Sequence, residues 1–173
     1  MIESIVEQIY HQPCWLLQQG HGSFLTFEFG QPHLEIREPK PPKLANRRVT
    51  VHGDWHLWIY CCSWDLHLND KIAAHSESSR SRIKRALEQL EGQKIVKVEI
   101  DDMTSDTVFH FDLGGLLKTR MYDNGLHELW MLYGPKGNVL SVRNDGKYSY
   151  QPRDTPEEDM HWEAIKAGDE GAI

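Results

Sequence analysis

Phe24-Leu25-Thr26-Phe27-Glu28-Phe29-Gly30 and its look-alike farther along, Val108-Phe109-His110-Phe111-Asp112-Leu113-Gly114, are the stretches on which the fold turns. Apolar and polar residues alternate in both, the period of a β-strand with one face covered and the other open. Leu25, Phe27 and Phe29 share a face, as do Phe109, Phe111 and Leu113, and each set is expected to line a core. The opposite faces carry Thr26 and Glu28 in the first stretch, and His110 and Asp112 in the second.

Two further blocks match in the same order. Glu7-Gln8-Ile9-Tyr10-His11-Gln12 aligns with Glu88-Gln89-Leu90-Glu91-Gly92-Gln93, and Gly53, Leu57, Trp58 and Ile59 align with Gly125, Leu129, Trp130 and Met131. The pattern points to an internal duplication of a helix-plus-meander unit. On this reading residues 1–77 and 78–152 are two halves packed as one domain. Residues 153–173 then form a short terminal helix and a frayed acidic tail.

Within the halves, Ile2, Ile5, Val6 and Ile9 predict a helix over 2–11 that ends before Pro13. Ile83, Ala86, Leu87 and Leu90 predict another over 78–91, capped by Ser76 or Ser79, closed by Gly92, and solvated on its Arg80, Arg82, Lys84 and Arg85 face. Strands are expected at 15–18, 23–29, 33–37, 48–52, 55–62 and 71–75. In the second half they are expected at 94–100, 107–113, 116–122, 127–133, 138–143 and 148–150, with glycine-rich turns between them. The proline-rich segment 38–46 reads as an exposed extended loop. Thr155-Pro156-Glu157-Glu158 starts a terminal helix, docked by Met160, Trp162 and Ile165 and stopped at Gly168. Strands that are not alternated with crossover helices make the class α+β, predominantly antiparallel β meanders with two to three helices.

Composition narrows function by exclusion. The 173 residues include 19 Lys plus Arg against 26 Asp plus Glu, a formal charge of −7, with an isoelectric point near 5.8. An acidic chain, whose basic cluster Arg80, Arg82, Lys84 and Arg85 reads as the solvated face of a helix, argues against nucleic-acid or anionic-membrane partners. No apolar run reaches the roughly 18 residues of a membrane span and the start has no signal-peptide pattern, so a cytoplasmic protein is expected. Cys14, Cys61 and Cys62 are odd in number and lack Cys-x-x-Cys spacing, which favours buried thiols over disulfides or metal ligation.

The candidate chemistry lies on strand faces. His110 and Asp112, two apart, are placed to act as an acid–base pair, and Glu28 and His56 join them as the polar groups of a cleft between the halves. His52 and His56 are the nearest approach to a metal-ligand pair, but the intervening Gly53-Asp54 reads as a turn expected to scatter the rings. No catalytic, phosphate-binding or metal motif is present, and neither a metal nor another cofactor is expected. Trp55-His56-Leu57-Trp58-Ile59-Tyr60 has large residues on both faces. Trp58, Tyr60, Trp64 and Trp130 are the binding candidates, as the aromatic floor of a cleft or partner groove.

These features favour a non-catalytic binding or protein-interaction module, of which an immunity- or antitoxin-like protein is one version consistent with the acidic surface. The alternative is a small-molecule binder or enzyme that uses a cleft between the halves. A homodimer through a sheet edge or the Trp64 region is a further expectation for its partners.

Overall fold

The computed structural model describes residues 1–39 and 46–166. Most of the expected proline-rich loop, the Gly168 stop and the frayed tail lie outside the described residues. In chain order the elements are α1 (Ile2–Val6), β1 (Trp15–Gln19), β2 (Leu25–Phe29), β3 (His33–Arg37), β4 (Arg48–His52), β5 (Trp55–Ile59), β6 (Ser63–Leu68) and β7 (Lys71–His75). There follow α2 (Arg80–Leu90), β8 (Ile95–Ile100), β9 (Thr107–Phe111), β10 (Gly115–Arg120), β11 (Glu128–Tyr133), β12 (Asn138–Arg143), β13 (Lys147–Pro152) and β14 (Glu163–Ala164).

Every pairing between these strands is antiparallel. One sheet has the order β1-β2-β5-β11-β12-β13-β14, a second β7-β6-β10-β9-β8, and β3 with β4 forms a separate two-stranded ribbon. Both larger sheets draw strands from before and after α2, so the chain interleaves its two halves. The antiparallel, β-rich α+β class expected from the alternation holds.

The core lies where the two sheets face each other. Leu25, Phe27, Phe29, Leu57, Ile59, Trp130 and Leu132 of the first sheet are buried with Trp64, Leu66, Phe109 and Leu117 of the second. Trp130 crosses the gap: its ring meets Phe109 edge-on at 5.5 Å, and its Nε1–H donates to Thr107 Oγ1 at 2.9 Å. That bond satisfies an indole N–H that would otherwise be stranded in apolar surroundings. Ser79 caps α2 by accepting from the Arg82 N–H, and Gly92 takes the left-handed backbone with φ of 88° that ends it. Ile83, Ala86, Leu87 and Leu90 are its buried face, and the four basic residues of the helix are exposed.

Several expectations are corrected. The first helix is shorter, five residues of α-helix followed by a 3-10 turn at Glu7–Ile9. The terminal helix is instead a 3-10 turn at Glu157–Asp159 and the short strand β14 paired with β13. The free edge of β13 offers that segment backbone partners that its one helical turn lacks, and Ile165 still docks in the core. The expected 55–62 strand breaks at Tyr60–Cys62, where the chain leaves one sheet and enters the other as β6, a strand not anticipated. Leu113 does not join Phe109 and Phe111 inside; it lies past the end of β9 and is 70% exposed.

Internal duplication is not confirmed. The register sets Trp130 opposite Ile59 and Trp58 opposite Met131. Trp130 therefore points into the core while Trp58 points out of the other face, so the two tryptophans do not play equivalent roles.

Candidate functional site

The outer face of β2 carries an oddity, a glutamate in the middle of an apolar strand. Glu28 is only 2% exposed, a position that carboxylates take when they are fully partnered. Its partners come from three places. His56 lies directly across from it in the β2–β5 register, and its Nδ1 sits 2.6 Å from Glu28 Oε1. His52, the last residue of β4, places its own Nδ1 3.0 Å from the same oxygen. The Gly53 N–H donates to Oε2 at 2.9 Å.

Gly53 makes this arrangement possible. A Cβ at that position would lie 2.2 Å from the Phe29 carbonyl oxygen, so only glycine lets the chain pass so close to β2 and turn from β4 into β5. Asp54 secures the turn by accepting from the Gln31 N–H at 2.8 Å. The Gly53-Asp54 turn thus gathers the two histidines instead of scattering them. Their rings are 5.3 Å apart and nearly perpendicular.

Burial alone pushes the Glu28 carboxyl up. The hydrogen bonds from His56, Gly53 and His52, with the His56 charge, outweigh it and hold the group below the usual glutamate range. A second carboxylate backs the cluster. Glu35 of β3 has Oε2 3.4 Å from His52 Nε2 and Oε1 3.2 Å from Arg37 Nε, with Arg153 Nη1 3.8 Å away. The Arg37 hydrogen bond is the main cause that keeps Glu35 ionised to lower pH than usual. His52 is therefore held between two carboxylates, one buried and one at the rim.

His52, His56 and Glu35 line an open cleft of about 1340 Å³ between the ribbon, the Gly53-Asp54 turn and the β11–β12 hairpin, with Glu28 buried behind them. Trp58 and Tyr133 supply aromatic surface, and Arg37 and Arg153 supply cations. The outer part of the same sheet face holds a second aromatic group. Phe24 packs on Tyr60 at 4.7 Å, and Tyr60 on Trp58 at 4.6 Å.

The other sequence candidates do not meet here. His110 bonds Glu99 at 2.7 Å on the second sheet, and Asp112 accepts from the Lys94 N–H just beyond β9. Each is committed to a local partner and neither lines the cleft, so the four polar candidates do not converge and only Glu28 and His56 share a site. Among the aromatic candidates, Trp64 and Trp130 are fully buried, and Trp64 donates to the Ser23 carbonyl at 2.7 Å. Those two are core anchors, because the chain crosses between sheets just before Trp64 and the β5–β11 register turns Trp130 inward. Trp58 and Tyr60 remain on the outer face. Cys14 and Cys62 are buried thiols pushed up to about 12 by desolvation.

Glu35 and Arg153 complete the cluster beyond the sequence candidates, and their spacing carries no signal, since a separate ribbon and the end of a distant strand bring them in. The His52–His56 spacing is the one sequence signal for the pair, and alternation alone places Glu28 on the polar face of its strand. No family model, curated protein or solved structure matches the chain.

Proposed function

We propose that the protein binds a small polar ligand in the cleft between the ribbon and the seven-stranded sheet, with Glu28, His52 and His56 at its centre. The observation that carries this reading is the buried Glu28 carboxylate, shared by two half-exposed histidines in the wall of that cleft. A buried charge is costly to keep, and one set behind histidines that line a concave wall with Trp58, Tyr133 and Arg153 suits recognition of a polar molecule with an unsaturated or ring portion. Binding without covalent chemistry is the simpler form of this reading, since no Ser, Thr, Cys or Lys is among the described residues that line the cleft.

A thermal-shift screen of metabolites on the chelator-treated full chain tests it. Ligands are expected to raise the melting temperature of the wild type, because binding to the native state alone stabilises it. The same ligands are expected to lose that effect on Arg153→Ala and His56→Ala. Ligands that stabilise all three proteins equally would refute a site in this cleft.

A second reading, a protein-interaction surface, is favoured by the ribbon. Leu34 pairs with Val51 and Ile36 with Val49 across β3 and β4, and Leu34 and Ile36 are 64% and 56% exposed on the face turned away from Glu35 and His52. A concentration-dependent mass in solution that Ile36→Lys abolishes would support it.

A further inference from the structure

We infer that Glu28, His52 and His56 bind one divalent transition-metal ion of the zinc class, an inference that rests on the cleft being the working site. One ligand atom from each of the three lies within 4.8 Å of the others. Two imidazole nitrogens and a carboxylate oxygen form a donor set suited to zinc and its first-row neighbours, and unsuited to calcium or magnesium, which take oxygen ligands.

The two distances to the Glu28 carboxylate require only a small adjustment. An ion held at about 2.0–2.2 Å from each donor in tetrahedral geometry spaces its ligands by roughly 3.3 Å. His52 Nδ1 is already 3.0 Å from Glu28 Oε1, and His56 Nδ1 is 2.6 Å away. Relative to Glu28, ion entry therefore asks His56, a partly exposed ring, to withdraw by less than about 1 Å, while the histidine ligand atoms, within 4.8 Å of each other, settle at the same spacing.

Outer partners for the ligands are also in place. Metal-binding imidazoles commonly donate their second ring N–H to a carboxylate, which fixes the tautomer and ring orientation. Glu35 stands where such a partner would for His52, its Oε2 an ion-pair distance of 3.4 Å from Nε2, and Glu35 is itself held by Arg37. Glu28 has its second oxygen tied to the Gly53 N–H. With a metal on Nδ1, each neutral ring carries its single proton on Nε2, so the proton that faces Glu28 in the metal-free form has a place on the ring and, in His52, an acceptor. Three protein ligands leave a fourth position toward the cleft, where an anionic group of a small molecule can complete the coordination.

The test is calorimetric titration of the metal-stripped full chain with Zn²⁺, paired with Co²⁺ titration followed by its visible absorption. One ion per chain is expected, with a cobalt spectrum of four-coordinate nitrogen and oxygen ligation. Glu28→Gln and His56→Phe are each expected to weaken binding by at least about 100-fold, and Glu35→Gln by about 10–100-fold. His56→Phe changes a half-exposed ring, so it keeps the test open if Glu28→Gln fails to fold. Absence of zinc binding, or zinc affinity equal in the wild type and a His52→Ala/His56→Ala variant, overturns the metal site. If the chain binds no zinc while the metal-free protein still binds metabolites in a way that needs Arg153 and His56, the metal inference falls and the cleft reading stands.

Discussion

Replacing Gly53 by alanine is expected to damage the fold and the site together. The new Cβ would fall 2.2 Å from the Phe29 carbonyl oxygen and 2.9 Å from the Phe29 nitrogen, and both are backbone atoms of a central strand. The β4–β5 turn must then retreat from β2 by about 1 Å, a form of overpacking that costs roughly 1–3 kcal/mol. The same movement stretches the 2.9 Å hydrogen bond from the Gly53 N–H to the Glu28 carboxylate, and bonds to charged groups contribute about 1.5–3 kcal/mol. With partial loss of that bond, the expected total is about 3 kcal/mol. For a chain of this length that lowers the melting temperature by roughly 6–12 °C. Urea unfolding measures the free energy, and histidine side-chain NMR reports whether His52 and His56 have left Glu28. A loss below about 1 kcal/mol with unmoved histidine resonances would refute the close-packed turn as the device that assembles the cluster.

Two other outcomes follow from the same geometry. Trp130→Phe should cost about 2–3 kcal/mol, since it opens a buried gap and deletes the bond to Thr107, whereas Trp58→Phe should cost less than about 1 kcal/mol. Equal costs in denaturant melts would mean that the two tryptophans are equivalent anchors after all. Asp145 holds Arg143 by two bonds of 2.8 and 2.9 Å, and that contact is the main cause depressing its carboxyl pKa. Because the folded value lies below the unfolded one, its stabilisation is present above the ordinary aspartate range and lost as pH falls through the folded value. Asp145→Asn should therefore be less stable than wild type at neutral pH and match it in strong acid. A stability gap that persists unchanged below about pH 2 would contradict that linkage.

Much of the architecture was legible because it is written in short periods. Alternation over Leu25–Phe29 and Thr107–Phe111 identified strands and their buried faces, and the 3.6-residue stripe Ile83, Ala86, Leu87 and Leu90 identified α2. Turn glycines marked most strand ends. Internal duplication is not confirmed, and alternation alone is no evidence for it: strands that each bury one face share the same period wherever the fold repeats that task.

The candidate site was only half legible. Alternation along β2 marks Glu28 as a polar-face residue, whereas the register that sets it across from His56 in β5 is tertiary. His52 was misjudged because the direction of a turn depends on what the turn packs against, here the Phe29 carbonyl beneath Gly53. His110 and Asp112 had the right spacing for chemistry but were drawn to Glu99 and the Lys94 N–H. Spacing along a strand sets which face a residue takes, and neighbouring strands decide what it meets there.

By itself, then, the sequence determined the strand class, the central helix, most of the apolar faces, and the acidic character of the chain. Only the tertiary structure decided that Trp64 and Trp130 are core while Trp58 faces a cleft, and that Glu28, His52, His56 and Glu35 form one cluster. The reason is the range of the interactions. Hydrophobic periodicity acts over a few residues, whereas antiparallel register and the folding back of the ribbon bring together groups from distant parts of the chain.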